Sequence, residues 1–260
     1  MADPPPVLEL RGPPSSGKTH LLYFFLILCV IPESHQDIRL GGSNKAAIVF
    51  DMDLSFDVIR FNQLLAGHLL RLLPSDRSAA STIARRSLQK LHIFRPDSSL
   101  QLAATLFQLA KYHAFCLPGE AIGLLAIDSV NANYWPDRFT MEQMHTSTSN
   151  KRRVVPSLQH ILAAAEPLRR SCGFTTVITS RALPLPDGDV NCSLSRTDPS
   201  SVDIFTSLAD PSTPVLTLWL CRSHQLERDE GTVQRTRGSI QTLEKGTFIF
   251  DIFEDHLTVE

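Results

Sequence analysis

The sequence is short of cysteine, of unbalanced charge and of long apolar runs, and each shortage excludes something. Its five cysteines (Cys29, Cys116, Cys172, Cys192, Cys221) are odd in number and widely spaced. There is no Cys-x-x-Cys pair, and the nine histidines form no metal-ligand spacing with them. A disulfide scaffold and a zinc module are therefore excluded, and a reduced, intracellular setting is expected. With 20% charged residues and a formal net charge of −2, the chain is no histone-like polycation, so any nucleic-acid contact must come from local basic patches. The longest apolar run, Leu21 to Ile31, has 11 residues, where a membrane span needs about 20. It reads as a buried helix. Met1 to Pro6 has no basic region ahead of an apolar stretch, so no export signal and no membrane partner are expected.

What is present suits one sizeable folded domain. The chain has 260 residues, 43% of them apolar, enough for a core and too many for wholesale disorder. Short β-type runs alternate with helical patterns. Val7 to Leu10 reads as a strand entering a Gly/Pro/Ser turn, and Thr19 to Ile31 as a helix ended by Pro32. Ala46 to Phe50 is an apolar strand. Ser55 to about Leu73 is helical, with Phe56, Ile59, Leu64, Leu65, Leu69 and Leu72 near a 3.6 period. Leu91 to Phe94 (strand), Leu100 to Cys116 (helix) and Gly123 to Ile127 (strand, apolar on both faces) follow. Residues 129–156 read as a polar, irregular loop, and Pro156 opens a helix to about Arg170. Thr175 to Thr179 is strand-like, 182–214 a long Pro-rich loop, and Val215 to Cys221 and Thr247 to Phe253 close the chain as strands. The alternation predicts an α/β fold: a mostly parallel, twisted sheet flanked by helices, with no internal repeat.

One motif carries chemistry. Gly12-Pro13-Pro14-Ser15-Ser16-Gly17-Lys18-Thr19 satisfies G-x-x-x-x-G-K-[ST], with a strand before it and a helix after. Its glycines let successive N–H groups face a β-phosphate, backed by the helix dipole. Lys18 would reach the β and γ oxygens, and Thr19 would offer its hydroxyl to Mg²⁺. The cofactors expected are ATP and Mg²⁺. Asp128 ends an apolar strand, where a P-loop protein places the carboxylate that holds Mg²⁺ through water. Asp51 and Asp53 follow the second strand. They would face the γ-phosphate if that strand lies beside the first, with Asp53 orienting the attacking water as the catalytic residue. Read without the motif, they are solvated acids at a helix start.

These residues, in this order, resemble the RecA-type recombinases, and more narrowly their eukaryotic paralogues. The similar segments are Val7 to Tyr23 (VLELRGPPSSGKTHLLY), Ile48 to Phe61 (IVFDMDLSFDVIRF) and Leu124 to Arg138 (LLAIDSVNANYWPDR). The last is the most specific. The resemblance implies a single RecA-like P-loop ATPase core over residues 7–260 behind a disordered lead, 1–6. It implies a nuclear protein of homologous-recombination repair, in a hetero-oligomer with other RecA-like paralogues. Three departures qualify this. Asp53 stands where the recombinases carry Glu, a methylene longer, which predicts slow hydrolysis. Ser180-Arg181 stands where they carry Asn-Gln, the Gln sensing the γ-phosphate. With the P-loop strand beginning at residue 7, the expectation is an accessory subunit, not a filament-forming enzyme.

In RecA-type proteins two loops bind DNA, and here they would be Tyr134 to Arg153 and 182–214. Lys151, Arg152 and Arg153 would attract phosphates of single-stranded or branched DNA, and Tyr134 and Trp135 would stack on bases. A solvated charge run beside a partly buried aromatic pair is the plainer reading. The second loop offers mainly Arg196. Phe139, Met141 and Met144 are either an interface patch or core, Arg169-Arg170 suit a helix C-terminus, and His92 and His113 are packed or surface histidines. Two rival functions stand: a P-loop kinase of small molecules, and a scaffold with a vestigial nucleotide site.

Overall fold

The computed structural model describes residues 7–147, 157–181, 215–220, 224–228, 231–241 and 246–259. The lead 1–6, Lys151 to Arg153 and the segment 182–214 lie outside them. In chain order the elements are β1 (Val7–Gly12), α1 (Lys18–Val30), β2 (Ser34–His35), β3 (Ile38–Arg39), β4 (Ala46–Asp51), α2 (Val58–Leu72), α3 (Arg77–Leu88), β5 (Leu91–Phe94) and α4 (Ser99–Cys116). Then follow β6 (Ile122–Asp128), α5 (Tyr134–Ser147), α6 (Ser157–Cys172), β7 (Thr175–Arg181), β8 (Val215–Leu220), β9 (His224–Arg228), β10 (Gly231–Gln241), β11 (Gly246–Ile252) and β12 (Leu257–Val259).

Six strands run parallel in the order β8-β1-β7-β6-β4-β5. The antiparallel strands β10, β11 and β12 continue the sheet beyond β8, with β9 on β10, and β2 and β3 form a separate hairpin. The α/β reading is borne out. Alternation along each parallel strand sorts the core into two faces. Ala47, Val49, Leu124, Ala126 and Val177 face α1, α2 and α3, while Ile48, Phe50, Leu125, Ile127 and Ile178 face α4 and α6. Phe50 is fully buried and stacks on Phe94 at 5.4 Å between ring centroids, so its removal would cost about 3–5 kcal/mol.

The apolar run Leu21 to Ile31 is the buried helix expected. α1 is covered on most sides and stops where Ile31, held extended ahead of Pro32, leaves the helical region. Among the described residues no helix is long and apolar enough to cross a membrane.

Two readings are corrected. The helix expected from Ser55 begins at Val58, because Asp57 caps it by accepting from Ile59 N (2.8 Å) and Arg60 N (3.1 Å). The stretch read as irregular from residue 129 contains α5. Pro136 is tolerated in its first turn, Asp137 N bonds Asn133 O, and Arg138 pairs with Glu142 at 2.9 Å one turn on. Arg169 and Arg170 fall in the last turn of α6, as expected, and Arg169 is buried there with two bonds of 2.9 and 2.7 Å to Glu166. α3, β9, β10 and β12 were not anticipated.

Candidate nucleotide-binding site

The site is built where the carboxyl ends of β1, β6 and β7 meet the start of α1. Gly12 ends β1 so close to β8 that a Cβ there would lie 2.5 Å from Leu220 O. Gly17 takes a left-handed conformation (φ 79°) directly above Phe250, and it caps α1 with no side-chain acceptor. The first-turn amides of α1 are thus left to a ligand, at the positive end of the helix dipole and with no acid in that turn. Lys18 reaches back over its own loop, donating to Gly12 O (3.0 Å), Pro13 O (2.7 Å) and Ser16 Oγ (3.4 Å). Burial lowers its pKa to about 8, opposed by Asp128 and Asp53 and assisted by Arg181.

Asp128 sits at the end of β6, almost fully buried. Its Oδ2 accepts from Thr19 Oγ1 at 3.3 Å and its Oδ1 from Thr179 Oγ1 at 2.5 Å. Burial raises its pKa to about 6, with these two hydroxyls pulling it down and Asp53 and Asp51 pushing it up. A hydroxyl beside a carboxylate is the hard-oxygen set Mg²⁺ takes alongside phosphate oxygens. Among the described residues no cluster of three or more His, Cys, Asp or Glu would hold a metal unaided.

The two acids after β4 part company. β4 does not lie beside β1: β7 and β6 separate them. Asp51 turns away from the P-loop, fully buried, accepting from Arg95 Nε (3.1 Å) and Phe56 N (3.3 Å). Its expected place facing the γ-phosphate is therefore not found. Asp53 does come to the site by another route, its Oδ2 accepting from Ser129 Oγ at 2.5 Å. Ser129 N in turn donates to Thr179 Oγ1 at 2.7 Å. Thr19, Asp128, Thr179, Ser129 and Asp53 thus form one hydrogen-bonded chain. Sequence reasoning missed Thr179 and Ser129, which no spacing rule connects.

A cleft of about 540 Å³ opens beside the loop, lined by Ser15 to Thr19 and, across from them, by His20, Tyr23, Ser55, Asp57, Arg60 and Gln63. That volume suits a small molecule. Burial and then the nearby Arg60 lower His20 to about 4, so it is neutral at pH 7. Burial raises Tyr23 to about 12, and its hydroxyl accepts from Asp57 N at 2.9 Å. Arg60 bolts the carboxyl-terminal strands to this wall, donating to Phe253 O (2.6 Å) and Glu254 O. Arg181 ends β7 in register with Gly12, its backbone clamped by Asn131 on both sides (3.1 and 3.2 Å).

Tyr134 and Trp135 open α5, edge to face at 5.1 Å, with Arg138 5.7 Å from the Trp135 ring centre. Trp135 is 65% exposed and Phe139 62%, so neither is core. The side chains of Met141 and Met144 lie outside those described. His92 bonds Tyr112 Oη and His113 bonds Glu120 O, both away from the cleft.

The chain is 28% identical over 173 residues to "DNA repair protein XRCC2 homolog" of Arabidopsis thaliana. It is 31% identical over 132 residues to "DNA repair protein XRCC2" of Mus musculus. Over about half its length the chain is similar to both XRCC2 proteins. The XRCC2 matches cover 56% and 51% of this chain, and 45% and 42% of the plant and mouse proteins, so the chain spans under half the length of either relative. No protein-family model matches it. The resemblance to RecA-type paralogues, read from the P-loop and the Asp128 segment, is borne out by these XRCC2 matches.

Proposed function

We propose that the cleft binds ATP with Mg²⁺, and that the protein serves homologous-recombination DNA repair as an accessory subunit among RecA-like paralogues. The observation that carries the nucleotide reading is the approach of Thr19 Oγ1 to Asp128 Oδ2 at the mouth of a P-loop. Gly12, Pro13, Pro14, Ser15, Ser16, Gly17 and Lys18 would cradle the phosphates, and Thr19 and Asp128 would hold Mg²⁺, Asp128 through water. Mg²⁺ would supply neutralisation of the β and γ oxygens. Asp53 is tied to Ser129 and, as a short carboxylate, would hold a water poorly, so hydrolysis is slow and partner-assisted. The repair role rests on the names of the two XRCC2 relatives and on the resemblance in the Asp128 segment.

A partner surface supports the subunit reading. β5 is an edge of the parallel sheet, and the helix that follows it carries Leu100, Phe107 (63% exposed) and Phe115 (83% exposed) outward. Apolar side chains on one exposed helix beside an open strand suit a protein contact. DNA contact through Tyr134 and Trp135 belongs to the same proposal: Trp135 is exposed enough for a base to stack, with the half-buried Tyr134 behind it.

The test is nuclease-treated affinity purification of the full chain with mass spectrometry, paired with single-turnover ATP hydrolysis. The proposal expects other RecA-like paralogues, lost from a Phe107→Ala/Phe115→Ala variant, and little turnover by the isolated protein. Recovery of no paralogue, or turnover that depends on a small-molecule acceptor, would overturn it.

A further inference from the structure

Charge is unevenly spread along the chain. Residues 58–119 carry eight lysines and arginines against two acids, Asp76 and Asp97, a net +6 in a protein of net −2. Four of these eight cations are engaged, and Lys111 stands apart on α4. Arg60 holds the carbonyls of Phe253 and Glu254, Arg95 holds Asp51, Lys90 reaches Asn44 O and Glu120, and Arg71 lies near Asp255. Arg77, Arg85 and Arg86, all on α3, are exposed and form no ion pair or hydrogen bond among the described residues. Asp76, the one acid beside them, is used as the N-cap, accepting from Ala79 N at 2.8 Å.

α3 buries Ala80, Ile83, Ala84 and Ser87 on its packed side, where it meets α2 and α1, and turns Ser78, Ser81, Thr82, Arg85 and Arg86 to solvent, with Arg77 in its first turn. Arg85 and Arg86 fall in the last turn, where the helix dipole favours cations. That explanation fails for Arg77, which sits at the N-terminal end where the dipole disfavours one. The cations span about 13 Å along the helix axis, more than a single phosphate can bridge. A lipid surface is a poor match, because the apolar side of α3 is spent in the core and the outer side offers nothing to insert.

We propose that the outer face of α3 is a binding surface for the phosphate backbone of duplex DNA. Arg77, Arg85 and Arg86 contact phosphates, and the hydroxyls of Ser78 and Ser81 add neutral hydrogen bonds. The face has no aromatic to stack on bases, and contacts confined to phosphates carry no sequence information, so similar binding to unrelated duplexes is expected. It is remote from the nucleotide cleft at its Arg85–Arg86 end. Lys90, just beyond α3, reaches Asn44 and Glu120, which precede β4 and β6, so this end lies at the amino ends of the parallel strands. The P-loop lies at their carboxyl ends.

The test measures binding of the full chain to two unrelated fluorescent 25-base-pair duplexes by anisotropy across 50–200 mM salt. Wild type is compared with R77A/R85A/R86A and with R77K/R85K/R86K, each checked for an unchanged melting temperature. Three phosphate contacts account for a slope of about −2.7 in log K against log salt, or about 40-fold of affinity over that range. The alanine variant should lose that share on both duplexes, and the lysine variant should keep it. Lys18→Ala, or leaving out ATP, should leave the share intact. An unchanged slope in the folded alanine variant would overturn the proposal. So would equal competition by a glutamate-rich peptide of matched charge, which would assign the face to an acidic protein segment.

Discussion

Thr19 and Asp128, 109 residues apart in the chain, meet at 3.3 Å between the start of α1 and the end of β6, although β1, which leads into α1, is not paired with β6. β7 brings them together: it lies between β1 and β6 and supplies Thr179, which grips the other oxygen of Asp128. The phosphate loop and the acid are therefore held in register by the sheet order, and two consequences can be measured without a ligand.

Burial holds Lys18 at a pKa of about 8, against a usual value of 10.5. Below pH 8 the folded state bears the full cost of that buried charge. Between about 8 and 10.5 the folded state releases its proton first, so the Lys18 contribution to stability rises with pH there. Lys18→Met should melt higher than wild type at pH 7, by about 2–4 °C for each kcal/mol recovered, and should lack the rise. A lower melting temperature at pH 7 would mean that the bonds to Gly12 O and Pro13 O outweigh desolvation.

Asp128 behaves in the opposite sense. Its pKa is raised by burial from 3.8 to about 6, so the folded state keeps the proton while the unfolded state loses it. Stability from this group falls as pH rises through that window, and the deficit is complete above pH 6. Asp128→Asn should be more stable than wild type at pH 7, with the difference vanishing below pH 4, as read by urea denaturation at both pH values. A variant less stable at pH 7 would contradict the burial argument.

Gly67 on α2 lies against the turn after β11, and a Cβ there would come within 1.8 Å of Asp255 O. Gly67→Ala must separate that helix from the turn that Arg60 holds at Phe253. Overpacking of about 1–3 kcal/mol should outweigh the gain of up to about 1 kcal/mol in helix propensity. Net stabilisation in urea would show the contact to be looser.

Much of this was legible in the residues. Leu91 to Phe94 is a strand at its expected bounds, and the P-loop is flanked by its strand and helix. Those signals are local: an apolar run, a glycine turn, a proline stop. α3 passed unnoticed because its inward face is only Ala80, Ile83, Ala84 and Ser87, too small and mild to stand out among arginines. β10 was missed because it carries Arg235 and Arg237 in a strand that pairs at the sheet's antiparallel end. Asp51 and Asp53 look equivalent in sequence. They separate only once Arg95 and Ser129 arrive from other elements, 44 and 76 residues away.

The central claim is that this loop and this acid together hold a magnesium-bound nucleotide. The most direct measurement is calorimetric titration of a non-hydrolysable ATP analogue into wild type, Lys18→Ala and Asp128→Asn, with and without Mg²⁺. The account predicts saturable binding by wild type that weakens without Mg²⁺ and as pH falls through about 6, where Asp128 takes up its proton. It predicts none by Lys18→Ala, and Asp128→Asn binding that no longer responds to Mg²⁺. Equal binding by all three proteins, or none by wild type, would contradict it.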